Sequence, residues 1–280
     1  MTRDDYGRAL NAHYAPGGDL EAAIDRGLRA AGKAPAALQP EDLRGVDQFH
    51  IGGLEATRAL LARAGLPRGA AVLDVGGGLG GTARTLALEA ESRVTVLDLT
   101  AAFVAVGRRL TARTGLSDRV RFAQGDATRL PFGAASFDAV WTQHSSMNIS
   151  DKAALYAEAG RVLRPGGRLA LHEVAAGPAG AVRYPVPWAR TAALSYLAAP
   201  EELRARLGAA GLRERAWVDV TAEAREGWER LIARLEAPEG PPPLGLHLFL
   251  GPGTLELMQN LARNLAEGRV VVVQAVFVKE

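Results

Sequence analysis

Asp74-Val75-Gly76-Gly77-Gly78-Leu79-Gly80 lies between a short apolar run and a helical stretch, an order that can hold a ligand. Glycines let the backbone approach a bound group closely, and the helix start that follows presents free N–H groups at a positive dipole end. In an open α/β sheet such a loop lies in the crevice outside the carboxyl ends of the strands, where ligands bind. Later apolar runs end on further polar groups: Asp98, then Asp126-Ala127, then Trp141-Thr142-Gln143-His144. An acid at position 98 is placed to accept hydrogen bonds from ribose hydroxyls. Asp126-Ala127 suits the amino edge of an adenine, and Gln143 and His144 aim at the same crevice.

The loop carries an ambiguity, since Gly76, Gly78 and Gly81 also satisfy the dinucleotide pattern G-x-G-x-x-G. A nicotinamide or flavin enzyme is therefore a rival, and Asp98 fits both readings. Three features separate them. Asp74 stands two residues before the first glycine, where dinucleotide sites usually carry an apolar side chain. Asp126-Ala127 closes the third strand, and the fourth ends in the polar run 141–144.

Individual side chains suggest roles on the acceptor side. His144, at a strand end, is the candidate general base, since a histidine can hold or move a proton near neutral pH. Asn148 either orients an acceptor or caps the helix that follows. His50, before a Gly-Gly helix start, either reaches the site or closes the N-terminal segment against the body. His172 and Glu173 point to opposite faces of their strand, and a satisfied buried polar group is the plainer reading of either. Tyr184, Trp188 and His247 are expected to wall the acceptor pocket, where aromatic faces can also hold an ammonium group.

The elements needed to position these groups are legible as alternation. Residues 70–76, 93–99, 119–126, 136–143 and 167–174 read as strands, short, rich in Val, Leu and Phe and flanked by Gly, Asp or Pro, and 212–220 and the valine-rich 270–278 read as two more. Helical patterns cover 80–91, 101–114 and 152–163, the last stopped by Arg164-Pro165-Gly166-Gly167. Further helices are expected at 19–31, 53–64, 200–210 and 254–267, with an irregular proline-rich stretch at 178–200 and a stiff linker at 239–243. Strand alternating with helix implies an α/β fold, a doubly wound and mostly parallel sheet. The division expected is an N-terminal helical cap over 1–66 and a main domain over 67–280. Residues 178–200 and 221–267 would be inserted cap or lid elements.

Composition narrows the classes. With no cysteine among 280 residues, disulfides, zinc–thiolate sites and cysteine nucleophiles are excluded. A net charge of +2 provides no strong field to recruit nucleic acid or a membrane. The opening residues MTRDDYGRAL contain no apolar signal core, and no apolar run reaches the ~18 residues of a membrane span. A cytoplasmic location is expected, without nucleic-acid or membrane partners; the residues leave a homo-oligomer open.

The segments DVGGGLGG, VLDLT, GDATRLPF, FDAVWTQHSSMN and RVLRPGGRLAL, in order between residues 72 and 174, resemble the successive motifs of the Rossmann-like S-adenosylmethionine-dependent methyltransferases. The resemblance implies a seven-stranded sheet with its last strand antiparallel, supplied by 270–278. It implies that Asp74 and the backbone of Gly76, Gly78 and Gly80 hold the methionine part of S-adenosylmethionine. Asp98 would take the ribose hydroxyls with Leu99 beside the adenine, and Asp126 and Ala127 the adenine edge. Gln143 and His144 would stand near the reactive methyl. A narrower likeness, in Asp47-Gln48-Phe49-His50-Ile51-Gly52-Gly53, His144-Ser145-Ser146-Met147-Asn148 and Tyr184–Trp188, is similar to the sarcosine and dimethylglycine methyltransferases and their small-molecule relatives. It implies a small-molecule methyl acceptor, an amine before a hydroxyl or a carbon.

Methyl transfer is an in-line displacement in which alignment and water exclusion can do much of the work. Nucleic-acid base methylation commonly uses an Asn/Asp-Pro-Pro-Tyr/Phe tetrad after the fourth strand, where this chain has Thr142-Gln143-His144-Ser145. The remaining rivals are a nicotinamide-dependent oxidoreductase and a non-catalytic cofactor-binding scaffold. Calorimetric titration separates the two cofactors: S-adenosylmethionine is expected to bind and NADH not, and the reverse result would sink the methyltransferase reading.

Overall fold

The computed structural model describes residues 3–14, 19–238, 240–251 and 253–280. Glu239, which begins the expected proline linker, and the cap and lid residues 1–2, 15–18 and 252 lie outside the described residues. The chain opens with α1 (Arg3–Tyr14), α2 (Leu20–Ala30), α3 (Arg44–Asp47) and α4 (Gly53–Ala64). Alternation then begins: β1 (Ala71–Val75), α5 (Gly81–Glu89), β2 (Arg93–Asp98), α6 (Ala101–Arg113), β3 (Val120–Gln124), β4 (Phe137–Gln143), α7 (Lys152–Val162) and β5 (Leu163–Ala176). The remainder is α8 (Pro200–Ala209), β6 (Leu212–Asp219), α9 (Thr221–Leu235), α10 (His247–Leu250), α11 (Thr254–Ala266) and β7 (Val270–Lys279).

The helix starts follow capping chemistry. The Asp19 carboxylate accepts the Ala22 N–H at 3.0 Å and the Asp151 carboxylate the Ala154 N–H at 2.9 Å, so Asp151 rather than Asn148 caps α7. Pro200 occupies the first turn of α8, where its missing N–H costs nothing.

The seven strands run in the order β3-β2-β1-β4-β5-β7-β6. Strands β1 to β5 pair in parallel, and β7 runs antiparallel to both β5 and β6, as the resemblance implies. The order reverses between β1 and β4, which opens a crevice beyond their carboxyl ends. Both faces are covered, which is why the central strands read as nearly continuous apolar runs. Leu73, Val75, Val140, Leu169 and Leu171 pack on α7 and α8. Val72, Val96, Ala139, Trp141 and Ala170 pack on α4, α5 and α6.

Two smaller cores attach the flanking segments. Ile24 and Leu28 of α2 pack with Phe103, Val106 and Leu110 of α6 and with Phe249 of α10. Helices α9 and α11 join Ile51, Met147, Val186 and Trp188 in another cluster. The expected irregular stretch at 178–200 contains a single 3-10 turn at Ala192–Leu194, and α9 is a helix the sequence reading had only as part of a lid. Strand β5 begins four residues earlier than expected, at Leu163, because Leu163 pairs with Phe137 before an irregularity in register, with Gly166 turning at φ +76° between. Among the described residues no helix is long and apolar enough to cross a membrane.

One buried ion pair ties the N-terminal segment to the sheet domain. Arg84 of α5 donates to the Asp47 carboxylate of α3 at 2.8 Å and to Thr111 Oγ1 at 2.7 Å, with Arg84 and Asp47 side chains only 1% and 3% exposed. Removing one partner leaves the other charge buried and unpaired. Asp47→Ala is expected to lower unfolding free energy by ~3–5 kcal/mol in denaturant titration, and a loss below ~1 kcal/mol would show that Arg84 finds water instead.

Candidate active site

A cavity of about 620 Å³ opens beyond the carboxyl ends of β1, β2 and β4. It is lined by Asp74, Gly76, Gly78, Asp98, Leu99, Asp126, Ala127, Gln143 and His144, so the expected donor-side residues come together, with the exception of Gly80. Gly80 begins α5 at φ +81°, and a Cβ there would stand 2.6 Å from Phe122 Cζ. It turns the chain past that ring into the helix and does not line the cavity. Gly77, which the sequence reading did not single out, has no room either: a Cβ would lie 2.4 Å from Asp74 Oδ2 and 2.8 Å from Val96 Cγ1.

The carboxylates at the strand ends differ in occupation. Asp98 Oδ2 accepts the Gly78 N–H at 2.9 Å and Oδ1 the Thr100 N–H at 2.8 Å. These bonds pin the glycine loop to β2, and each oxygen keeps a further lone pair for a hydroxyl. Burial raises the Asp98 carboxyl above its ordinary range, opposed by the two backbone N–H groups. Asp126 Oδ1 accepts both the N–H and the hydroxyl of Thr128, at 2.8 and 2.7 Å. Asp74 is 1% exposed, and its Oδ2 has no partner among the described residues. Burial, and then the charge of Asp98, push Asp74 up to about 7.

Gln143 is held by its amide oxygen. Trp141 Nε1 donates to Oε1 at 2.8 Å, Thr82 Oγ1 at 2.9 Å and Thr57 Oγ1 at 3.2 Å. An indole N–H can only donate, so the amide atom facing it is the oxygen. The Nε2 group is buried without a partner among the described residues. Thr82 sits in the first turn of the helix after the glycine loop, a position from which it could have been anticipated. Thr57 comes from the distant α4 and had no sequence signal.

Three imidazoles meet beside Gln143. His144 and His172 stack with centroids 4.7 Å apart and planes 12° apart, and His50 lies 6.2 and 5.9 Å from them. Enclosure is the main cause that keeps all three neutral, with His50 at about 3 and His172 at about 4; His144 is held well below its ordinary value by burial, then by His172 and His50. His144 has φ +49°, a strained value outside glycine that aims the ring back toward Ile51. Its Nδ1 accepts the Ile51 N–H at 3.4 Å, so the neutral ring carries its proton on Nε2, which has no partner among the described residues. In this tautomer His144 presents its Nε2 as a donor. His172 Nε2 donates to the Ile51 carbonyl at 2.9 Å, while its Nδ1 is buried without a partner among the described residues, so the ring is satisfied on one side only. His50 lines the cavity, and its Nε2 donates to the Gly53 carbonyl at 2.9 Å within its own segment.

The expected acceptor wall is only partly assembled. Asn148 lines the cavity, but its Oδ1 accepts the Tyr14 hydroxyl at 2.7 Å and its Nδ2 donates to the Trp188 and Leu194 carbonyls at 2.8 Å each. It fastens α1 to the proline-rich segment, and Tyr14 is a cavity residue that sequence reasoning missed. Trp188 lines a smaller neighbouring cavity with its indole N–H on Ser195 Oγ at 2.9 Å. Tyr184 and His247 line neither cavity; Tyr184 packs against the apolar cluster of α9 and α11.

Residues 73–171 match the family model described as a methyltransferase domain. The chain is 34% identical over 175 residues to the 27-O-demethylrifamycin SV methyltransferase of Amycolatopsis mediterranei, covering 61% of this chain and 64% of that protein. It is 30% identical over 166 residues to a dimethylglycine N-methyltransferase of Parasynechococcus marenigrum, covering 59% of each. The chain spans about half the length of the curated relatives it matches. A solved geranyl diphosphate C-methyltransferase of Streptomyces coelicolor, in complex with S-adenosyl-L-homocysteine, shares the fold with a TM-score of 0.73 at 18% identity over the whole of both chains.

Asp74, whose Oδ2 is buried without a partner among the described residues, is expected to make binding of a cationic ligand pH-dependent. Its carboxyl is protonated below its value of about 7 and an ammonium group favours the ionised form, so affinity for S-adenosylhomocysteine should rise between about pH 6 and 8 and then level. Binding below pH 7 should release a proton, seen by calorimetry in buffers of different ionisation heat, and Asp74→Asn should flatten the profile. A wild-type profile that falls with pH would contradict this placement.

Proposed function

We propose that this chain, which carries a domain of the S-adenosylmethionine-dependent methyltransferase family, moves a methyl group from S-adenosylmethionine to a small-molecule acceptor. The observation that carries the reading is the row of carboxylates Asp74, Asp98 and Asp126 along one cavity beside the glycine loop. The residues suit the group: Asp74 Oδ2 and Gln143 Nε2 are buried polar atoms without partners among the described residues, and the loop at Gly77 admits no side chain. When bound, S-adenosylmethionine supplies an electrophilic methyl on sulfur, the electrons of the broken carbon–sulfur bond staying with sulfur as the acceptor lone pair forms the new bond.

Each side chain has a task in that reading. Asp98 receives the ribose hydroxyls on the lone pairs its backbone bonds leave free, with Leu99 beside the adenine. Asp126 and Ala127 meet the adenine edge. Ionised Asp74 pairs with the ammonium of the methionine part, and Gln143 Nε2 donates near its carboxylate. Thr57, Thr82 and Trp141 hold the Gln143 amide in one orientation, which fixes where that donor points. His144 is a positioning residue that offers its Nε2–H to donor or acceptor. The three neutral imidazoles are weak bases, which suits an amine that enters with its lone pair free. Desolvation lowers the pKa of an amine and favours that neutral form, whereas a hydroxyl would need a base. Alignment and exclusion of water then contribute most of the rate.

The test is release of S-adenosylhomocysteine across panels of amines, phenols and quinols, with turnover expected among the amines. Asp98→Ala should weaken donor binding by ~1–3 kcal/mol or more, because it also frees the loop. His144→Ala should lower turnover more than donor affinity and leave the shape of the pH–rate profile unchanged. A limb near neutral pH that vanishes in this variant would return His144 to the role of base.

A further inference from the structure

Beyond the donor's groups, the cavity changes character. The chain has 33 lysine and arginine residues, yet among the described residues none lines the main cavity or the smaller one beside it. The carboxylates that line the main cavity are Asp47, Asp74, Asp98, Asp126 and Asp151. Two of them are already engaged away from an acceptor, Asp47 with Arg84 and Asp151 as the cap of α7. The smaller cavity, of about 30 Å³, has room for little more than a methyl-sized group, and Met147, Trp188, Trp228 and Leu261 wall it. It abuts the main cavity, since Tyr14, Phe49, His50 and His144 line both. Both tryptophans have their indole N–H groups occupied, Trp188 by Ser195 Oγ and Trp228 by the Met258 carbonyl, so they offer apolar ring surface alone.

A carboxylate or phosphate on the acceptor would be taken from water into this space with no lysine or arginine among the described residues lining it. Burying an unpaired anion is far more costly than burying apolar surface, which here gains contact with two indoles. We propose, resting on the methyl-transfer reading, that the acceptor carries no anionic group and seats a methyl-sized apolar end against Trp188, Trp228, Met147 and Leu261. Amino-acid-like and phosphorylated acceptors are rejected by the same walls. The sequence likeness to glycine-derivative methyltransferases thus does not extend to their acceptor.

The experiment uses matched probes that differ only in charge, methyl 4-aminobenzoate and 4-aminobenzoate, titrated by calorimetry into the full chain saturated with S-adenosylhomocysteine. The ester should bind at least about tenfold more tightly than the acid, and sarcosine should not compete with it. Leu246, a half-buried residue on the wall of the smaller cavity, offers a place for a cation. Leu246→Lys should raise affinity for the acid by about tenfold while leaving S-adenosylhomocysteine binding unchanged. Equal affinity for acid and ester, competition by sarcosine, or no binding of the ester overturns the proposal. Failure of S-adenosylhomocysteine to bind in the saturation step would instead overturn the methyl-transfer reading.

Discussion

Two carboxylates, Asp74 and Asp98, stand at the ends of adjacent strands, and after burial the charge of Asp98 raises the cost of ionising Asp74. The pairing that aligns Val75 with Leu97 leaves them no freedom to separate. Asp98 is steadied by the backbone of its own loop, while the outer oxygen of Asp74 has nothing to bind among the described residues. A chain selected for stability alone would not bury that group, since an unpaired polar atom in a dry site costs on the order of 1–3 kcal/mol. A ligand that brings a positive charge relieves both the desolvation and the repulsion.

The flanking segments complete the site from the other side. Thr57 of α4 reaches Gln143, and the Ile51 backbone touches both His144 and His172. Asp47 is buried against Arg84, so the start of this segment is anchored at the same helix whose first turn contributes Thr82. Tyr14 closes onto Asn148 above them. Donor-side and acceptor-side geometry are therefore mechanically linked, because the side chain that fixes one is held by residues of the other. This linkage also explains why His144 is a neutral donor. A ring packed on another imidazole and addressed at Nδ1 by a backbone N–H is buried and carries its proton on Nε2.

The same fold serves relatives whose names specify oxygen, nitrogen and carbon acceptors, so the fold carries no information about the receiver. That information lies in the walls contributed by α1, the 184–196 segment, α9 and α11. Those walls are aromatic and uncharged among the described residues, in a chain rich in arginine elsewhere. The arginines lie instead on solvated faces and in ion pairs such as Arg58 with Glu89 and Arg204 with Glu214.

The sheet and the donor side were legible along the chain because they depend on local order. A strand buried on both faces must read as an apolar run, and a loop that meets a ligand through its backbone must be glycine, so each of Asp74, Asp98, Asp126 and Gln143 could be placed at a strand end by counting. The acceptor side was not legible in that way. Tyr14, Thr57 and Trp228 reach the site from helices far apart in sequence, and nothing in their own neighbourhoods marks them. Tyr184 and His247 carry suitable chemistry, yet packing turns them elsewhere. The tautomer of His144 follows from one backbone N–H that is 93 positions away. Residue type and spacing determine which groups a strand delivers to its end. Which lone pairs remain free there is settled only when distant segments fold over them, because hydrogen-bond partners and solvent exclusion are properties of the packed chain.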